Sequence, residues 1–388
     1  MRFAERMNHL GTETAFEVFA RAKALEAKGR DIVHLEIGEP DFDTPKNIVD
    51  AAMNAIGKGY THYGPSAGLP EARAAIAEYV AKTRGVAVDP LQVVITPGAK
   101  PIIFFTVLAL LDPGDEVIYP DPGFPIYESM AQYVGAKRVP LPLKEENNFA
   151  FDPDQLESLI TKKTRLVIIN SPHNPTGRIY DRAMLQELAN LLDRASAKFG
   201  RRIFLLSDEP YRRLRFDGRP FVSAAAVYPW TLITYSYGKV LLAPGQRLGY
   251  LALSPLIPRA DRKQLQEALF PAQMALGWCF PNALMQYAIA DLDKLSIDQR
   301  ALAERRDRLM AALAAGGYRV LKPEGTFYLW SRWPDGSPED LWNGLADHDV
   351  FVLPGSLMNS PDYFRICLTA SDQMVDAALP KLAQAATQ

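Results

Sequence analysis

Lys239 closes an apolar run as Tyr235-Ser236-Tyr237-Gly238-Lys239, with Arg247 eight residues further on. Upstream lie Asn174-Pro175-Thr176-Gly177 and Asp208-Glu209-Pro210-Tyr211. A lysine amine beside apolar or cationic neighbours has a lowered pKa and attacks a carbonyl to form a Schiff base. Ser236 and Arg247 suit a phosphate, the arginine through its rigid fork. Asp208 ends an apolar strand, where an unpaired carboxylate is costly to bury. It reads either as a solvated loop carboxylate or helix cap, or as the partner of a protonated ring nitrogen. Tyr211, three residues on, is in reach of a ring hydroxyl. The set asks for one ligand, an aldehyde with a phosphate and a basic ring nitrogen.

Other strings add to it. Thr96-Pro97-Gly98-Ala99-Lys100 follows a strand and opens a helix; small residues there free backbone N–H groups, and the helix dipole favours an anion. Asn174 lies in a loop stiffened by Pro172, Pro175 and Gly177; the string reads either as a structural turn or, as the unusual sequence favours, as a loop that turns the Asn174 amide toward a ligand oxygen. His173 beside it reads as a loop residue rather than a base, and Glu209 as facing solvent or a neighbouring loop. Phe124 follows Pro120-Asp121-Pro122-Gly123, where an aromatic ring either stacks on a flat ligand or joins the core. Tyr63 precedes the turn-rich Gly64-Pro65-Ser66-Ala67-Gly68; it caps a helix or reaches a neighbouring subunit. Arg365 sits inside the apolar run Tyr363-Phe364-Arg365-Ile366-Cys367, and a buried arginine needs an anion: a structural carboxylate, or a substrate carboxylate held in a two-bond fork.

The elements that must position these residues show in the periodicity. An amphipathic helix is expected over 14–29, with Phe16, Phe19, Ala20 and Leu25 on one stripe, then a strand over 32–37 broken at Gly38. Seven short apolar runs follow, at 92–96, 116–119, 137–141, 165–170, 203–207, 232–236 and 249–254, most of them separated by helical patterns. That alternation predicts an α/β fold, a sheet with helices on both faces. Beyond Phe280 the pattern turns to long helices (282–292, 298–316) and then short strands near 327–330, 351–353 and 364–368. We therefore expect a large domain over 45–280 and a smaller α+β domain from 1–44 and 281–388.

Composition narrows the function classes. With 388 residues and 48 % hydrophobic content, the chain can build a large core. A net charge of −2 gives no support for nucleic-acid binding. Cys279 and Cys367 lack metal-ligand spacing, so no metal is expected and the compartment reads as reducing. The N-terminus lacks the apolar core of a signal peptide, and the longest apolar stretch, 101–111, is too short for a bilayer. A cytoplasmic protein away from the membrane is the expectation.

Taken together, the strings from Gly38-Glu39-Pro40-Asp41-Phe42 to Arg365 resemble the class I/II aminotransferases of the pyridoxal phosphate fold type I, and most of all their aspartate-aminotransferase-like branch. The resemblance implies a mostly parallel seven-stranded sheet and pyridoxal 5′-phosphate as cofactor. It implies a Schiff base on Lys239, with the freed amine acting as general acid and base, and Asp208 on the ring nitrogen. Tyr211 and Asn174 match the pair on the ring 3-oxygen, and Phe124 the stacking position. The Ala99 and Lys100 amides, Ser236 and Arg247 match phosphate ligands, with Tyr63 arriving from the other subunit of a homodimer. Arg365 matches the α-carboxylate arginine, assisted by Asn174 and the Gly38 backbone. The substrates would be an L-amino acid and a 2-oxo acid. Departures are Phe124 where aspartate-specific members tend to carry Trp, Gly238 where a serine is common, and the 240–246 loop. Lys100 points the other way, since in part of the branch a lysine there contacts a distal carboxylate. The same residues would serve a β-lyase, a cyclising synthase or an amino-acid oxidase. A non-catalytic ligand-binding module is disfavoured by the intact lysine.

Overall fold

Parallel strands buried on both faces run as continuous apolar segments, and the centre of the molecule is built from such segments. The computed structural model describes residues 4–5, 7, 10, 15–38, 46–241 and 244–384. Glu39-Pro40-Asp41-Phe42 and the Leu242-Ala243 part of the 240–246 loop lie outside these. The described strands are β1 (Val33–His34), β2 (Val93–Thr96), β3 (Glu116–Asp121), β4 (Lys137–Pro142), β5 (Thr164–Asn170), β6 (Phe204–Asp208), β7 (Thr231–Ser236), β8 (Gly249–Leu253), β9 (Arg319–Leu321), β10 (Tyr328–Arg332), β11 (Val350–Phe351), β12 (Leu353–Pro354) and β13 (Tyr363–Cys367).

The seven strands β2 to β8 form one sheet in the order β2-β8-β7-β6-β5-β3-β4. All pairings are parallel except those of β8, which runs antiparallel to both β2 and β7. Every residue of β6, β7 and β8 is buried. The expected mostly parallel, helix-covered sheet is the one observed. Its topology decides where chemistry can sit. The carboxyl ends of β2, β3, β5, β6 and β7 share one edge, and the reversed β8 begins at that same edge. Residues just after the parallel strands and just before β8 therefore meet, at the edge where open α/β sheets bind ligands.

Helices cover the sheet. The helix Arg182–Phe199 is capped by Asp181, which accepts from the Met184 amide at 2.9 Å, and ends on Gly200 in the left-handed region. The helix Lys100–Leu110 is apolar nearly all round and is largely buried. A second core gathers Val33, Leu35, Tyr211, Leu214 and Phe216 with residues from 302 to 382. It packs on an antiparallel sheet of order β12-β13-β10-β9 and on the parallel pair β1-β11. A third core joins Ile48, Ile76 and Ile95 to Met285, Ile289 and Leu292.

Three local expectations need correction. The first helix runs Ala15–Glu26 and buries Val18 and Ala22 rather than the stripe through Phe16 and Ala20. Phe16 is exposed because it stands at the rim of a cavity rather than against the core. The pattern over 282–292 is two short helices, Ala283–Tyr287 and Ile289–Leu292, which belong to the third core. Glu209 does not face solvent: it is wholly buried, its Oε2 2.6 Å from Arg84 Nε, its Oε1 accepting from Ser207 of β6 and from Ser223 of a neighbouring loop at 3.0 and 2.5 Å. A strand buried on both faces alternates its side chains to either side, so Glu209 points away from Asp208 and must find its partners within the protein.

Candidate active site

At the shared strand edge lies a cavity of about 450 Å³. Of the sequence candidates, Gly38, Ala99, Lys100, Phe124, Asn174, Asp208, Tyr211, Ser236, Lys239, Arg247 and Arg365 all line it. Tyr63 does not: it is 89 % exposed, its ring set edge-on to Phe280 with centroids 5.0 Å apart.

Asp208 is the last residue of β6, and its side chain is buried. One oxygen, Oδ2, accepts a 2.6 Å hydrogen bond from the Tyr127 hydroxyl. The other, Oδ1, is buried without a partner. Burial pushes the carboxyl up to about 7, and Glu209 adds to the rise, while the Tyr127 hydrogen bond and the Lys239 charge oppose it. A buried acceptor facing a cavity unpaired is a place for a donor that the described residues do not supply.

Asn170, at the end of β5, organises the neighbouring loop. Its Nδ2 donates to the Asp208 carbonyl at 2.8 Å, and its Oδ1 accepts from the Asn174 amide at 2.7 Å. The Asn174 side chain is thereby held with its Oδ1 2.9 Å from Arg365 Nη1. Arg365, from β13, is buried; its Nη2 donates to the Glu36 carbonyl at 3.3 Å, and its Nε has no partner. The guanidinium lies 4.0 Å from the Tyr328 ring centroid, an arrangement that orients the fork. The Tyr328 hydroxyl is 3.3 Å from that of Tyr211. His173 is fully buried beside this loop, its Nδ1 2.8 Å from Thr176 Oγ1, and burial pushes it down to about 3. It is therefore neutral at physiological pH.

The third group is cationic and donor-rich. β7 ends at Ser236, which does not use its side chain to cap the following turn, Tyr237–Val240. Lys239 stands on that turn, half-buried, its Nζ 6.0 Å from the Phe327 ring centroid. Arg247 precedes β8 and reaches back to the Pro97 carbonyl, 3.2 Å from its Nη2. Gly98 leaves room for it: a Cβ there would lie 2.7 Å from Nη2, and φ is +85°. The helix Lys100–Leu110 begins beside this guanidinium with no side-chain cap at Ala99, so its first amides point into the same corner. Phe124 stands across from it with its ring edge-on to Tyr127, centroids 5.8 Å apart.

Sequence reading missed three of these groups. Tyr127 is three residues past Phe124, one helical turn, and that spacing was the available signal. Asn170 opens the string that contains Asn174 but looks like a strand terminus. Nothing local marks Tyr328, whose position follows from the pairing of β10 with β13.

A buried carboxyl with one open oxygen, a cationic donor-rich corner and a lysine amine thus line one cavity. The sequence profile described as aminotransferase class I and II matches residues 30–382. A probable aspartate/prephenate aminotransferase of Aquifex aeolicus is 32 % identical over 98 % of both chains. An aminotransferase from Eubacterium rectale superposes with a TM-score of 0.91 at 31 % identity, covering 99 % of this chain and 98 % of that one. The alanine aminotransferase of Pyrococcus furiosus gives a TM-score of 0.89 at 28 % identity, with both chains fully covered. The chain belongs to the class I and II aminotransferases, in their aspartate-aminotransferase-like branch, and is a transaminase acting on amino and oxo acids.

Proposed function

We propose that the cavity binds pyridoxal 5′-phosphate and that the enzyme moves the amino group of an L-amino acid to a 2-oxo acid, with Lys239 as the amine that carries the cofactor. The unpartnered buried Oδ1 of Asp208 is the observation that carries this reading. It wants a donor, and a protonated pyridine nitrogen is one. Arg247, Ser236 and the amides of Ala99 and Lys100 would hold the phosphate. Phe124 would stack on the ring, and Tyr211 with Asn174 would face its 3-oxygen. When bound, the cofactor supplies an exchangeable carbonyl and a ring that accepts electron density. The chain supplies the rest. Arg365 binds the substrate α-carboxylate, assisted by Asn174 and the Gly38 backbone, and so fixes the α-carbon. Lys239 takes and returns the α-proton. Tyr127 holds Asp208 by its Oδ2, which would leave Oδ1 for the ring nitrogen.

The amino donor is the open part of the reading. Lys100 lines the cavity beside the helix start and is the cation placed to meet a distal carboxylate. Initial rates for a panel of amino acids with 2-oxoglutarate test this. Acidic donors reacting fastest, and slowing selectively on Lys100→Ala, support the role; equal slowing of neutral donors contradicts it. Release of ammonia without any acceptor acid would contradict transamination itself.

The active unit is a homodimer in this reading, with Tyr63 serving the partner's phosphate corner. Support comes from Tyr63, which is exposed and does not line its own cavity, and from the exposed apolar Val49, Met53, Ile56, Phe280 and Tyr287. The site of action is the cytoplasm, a reading favoured by two free cysteines; no helix among the described residues is long and apolar enough to cross a membrane. We place the large domain at 45–280 and the small one at 1–44 and 281–388. The packing of 283–292 into the third core favours carrying that boundary past Leu292.

A further inference from the structure

His34 lies outside the cavity, yet it is bound on both sides. Its Nδ1 is 2.7 Å from Glu36 Oε1 and its Nε2 is 3.0 Å from Glu26 Oε1. Only the imidazolium offers an N–H to each carboxylate. The two acids differ in surroundings. Glu36 is fully buried, with Oε2 unpartnered, and its carbonyl accepts from Arg365. Glu26 is one-third exposed and also pairs with Lys23 at 2.7 Å. It ends the helix Ala15–Glu26, whose first residues, Ala15 and Phe16, form part of the cavity wall.

We propose that His34 is a positioning residue: its imidazolium ties the wall-forming helix Ala15–Glu26 to Glu36, and through the Glu36 carbonyl to the carboxylate-binding Arg365. The inference rests on the reading of Arg365 as the substrate anchor.

The tie has a direction of failure. A neutral imidazole keeps one N–H. Glu36 cannot turn to water, whereas Glu26 is rehydrated at little cost, so the Glu26 link opens and the helix is released. The hydrogen bond to Glu36 holds the His34 pKa above the ordinary histidine value, although burial works against it; Glu26 adds to the rise. The other neighbours contribute little charge. Phe19 packs against the ring, β11 pairs through Val350 and Phe351, and the helix Asp372–Gln384 meets the same core through Val375 and Ala378. Arg30 and Asp349, at the start of the strand, pair with each other. A group with a raised pKa keeps its full contribution at low pH and loses it as pH rises through the folded value. The amino-acid KM should therefore be lowest in mildly acid solution and climb on the alkaline side.

Steady-state kinetics of the holoenzyme from about pH 6 to about pH 9 test the proposal, using His34→Gln and Glu26→Ala. The second change is at a partly exposed side chain and removes the acceptor of the helix arm alone, so it remains informative if the first variant folds poorly. Both should raise the KM for the amino acid roughly tenfold near pH 6, leave kcat within about twofold, and flatten the pH dependence of KM. Unchanged KM values and a wild-type pH profile in Glu26→Ala overturn the proposal. So does a lowered melting temperature with kcat and KM falling together, which marks a merely structural histidine. Arg365→Ala, measured alongside, separates the two claims: if it leaves KM unchanged, the anchor reading itself fails, and with it the role of His34.

Discussion

Burial of Asp208 sets stability against function in a single carboxyl. Its folded pKa, about 7, lies above the ordinary aspartate value of 3.8. The folded state therefore binds this proton more tightly than the unfolded chain does. Stability from this group is greatest at low pH, falls as pH rises from about 4 toward 7, and stays reduced above that. Asp208→Asn removes the penalty and still leaves an oxygen for the Tyr127 hydroxyl. Thermal melts of the cofactor-free variant at pH 8 should show it more stable than the parent by roughly 1–3 kcal/mol, about 1–4 °C at this size. Its advantage should vanish near pH 4, and its transaminase activity should fall by orders of magnitude. A variant no more stable than the parent at pH 8 would mean that the carboxyl is already compensated. Asp208 itself was legible from sequence, because an acid closing an apolar strand is conspicuous. Tyr127 was not, because a tyrosine on a mostly buried helix looks like any core residue until its hydroxyl is seen on the carboxylate.

At the scale of elements, the helix Pro70–Arg84 is locked to the central sheet by a buried ion pair. Arg84 and Glu209 are both buried, and the Ser207 and Ser223 hydroxyls donate to the second carboxylate oxygen. Removing one member of such a pair leaves an uncompensated buried charge, which costs about 3–5 kcal/mol. Glu209→Gln should therefore lower the denaturation midpoint strongly, and adding Arg84→Met should recover part of the loss. Recovery is the outcome to look for; a double variant as unstable as the sum of the singles would contradict the pairing. The strands and their alternation with helices were readable because parallel strands are apolar along their length. Other elements were not. The helix Arg259–Ala275 contains Pro271, and a proline reads as a break even where the helix tolerates it. The third core draws 283–292 onto helices more than two hundred residues earlier in the chain, and no local pattern carries a contact of that separation. The reversal of β8 is also a tertiary fact, although it explains why Arg247 precedes its strand while Asn170, Asp208 and Ser236 end theirs.

The whole molecule brings eleven of the twelve sequence candidates to one cavity, and the twelfth, Tyr63, lies far out on the surface. The proposed homodimer would give that residue its role. Light scattering should therefore report twice the 43.1 kDa chain mass, and Tyr63→Phe should weaken cofactor retention without changing that mass; a fully active monomer would contradict the shared site. Whether Lys239 carries the cofactor is decided by borohydride reduction of the holoenzyme followed by peptide mapping. The cofactor mass should be found on the peptide that contains Lys239 and on no other. Reduction that labels a different lysine, or none, would contradict the account.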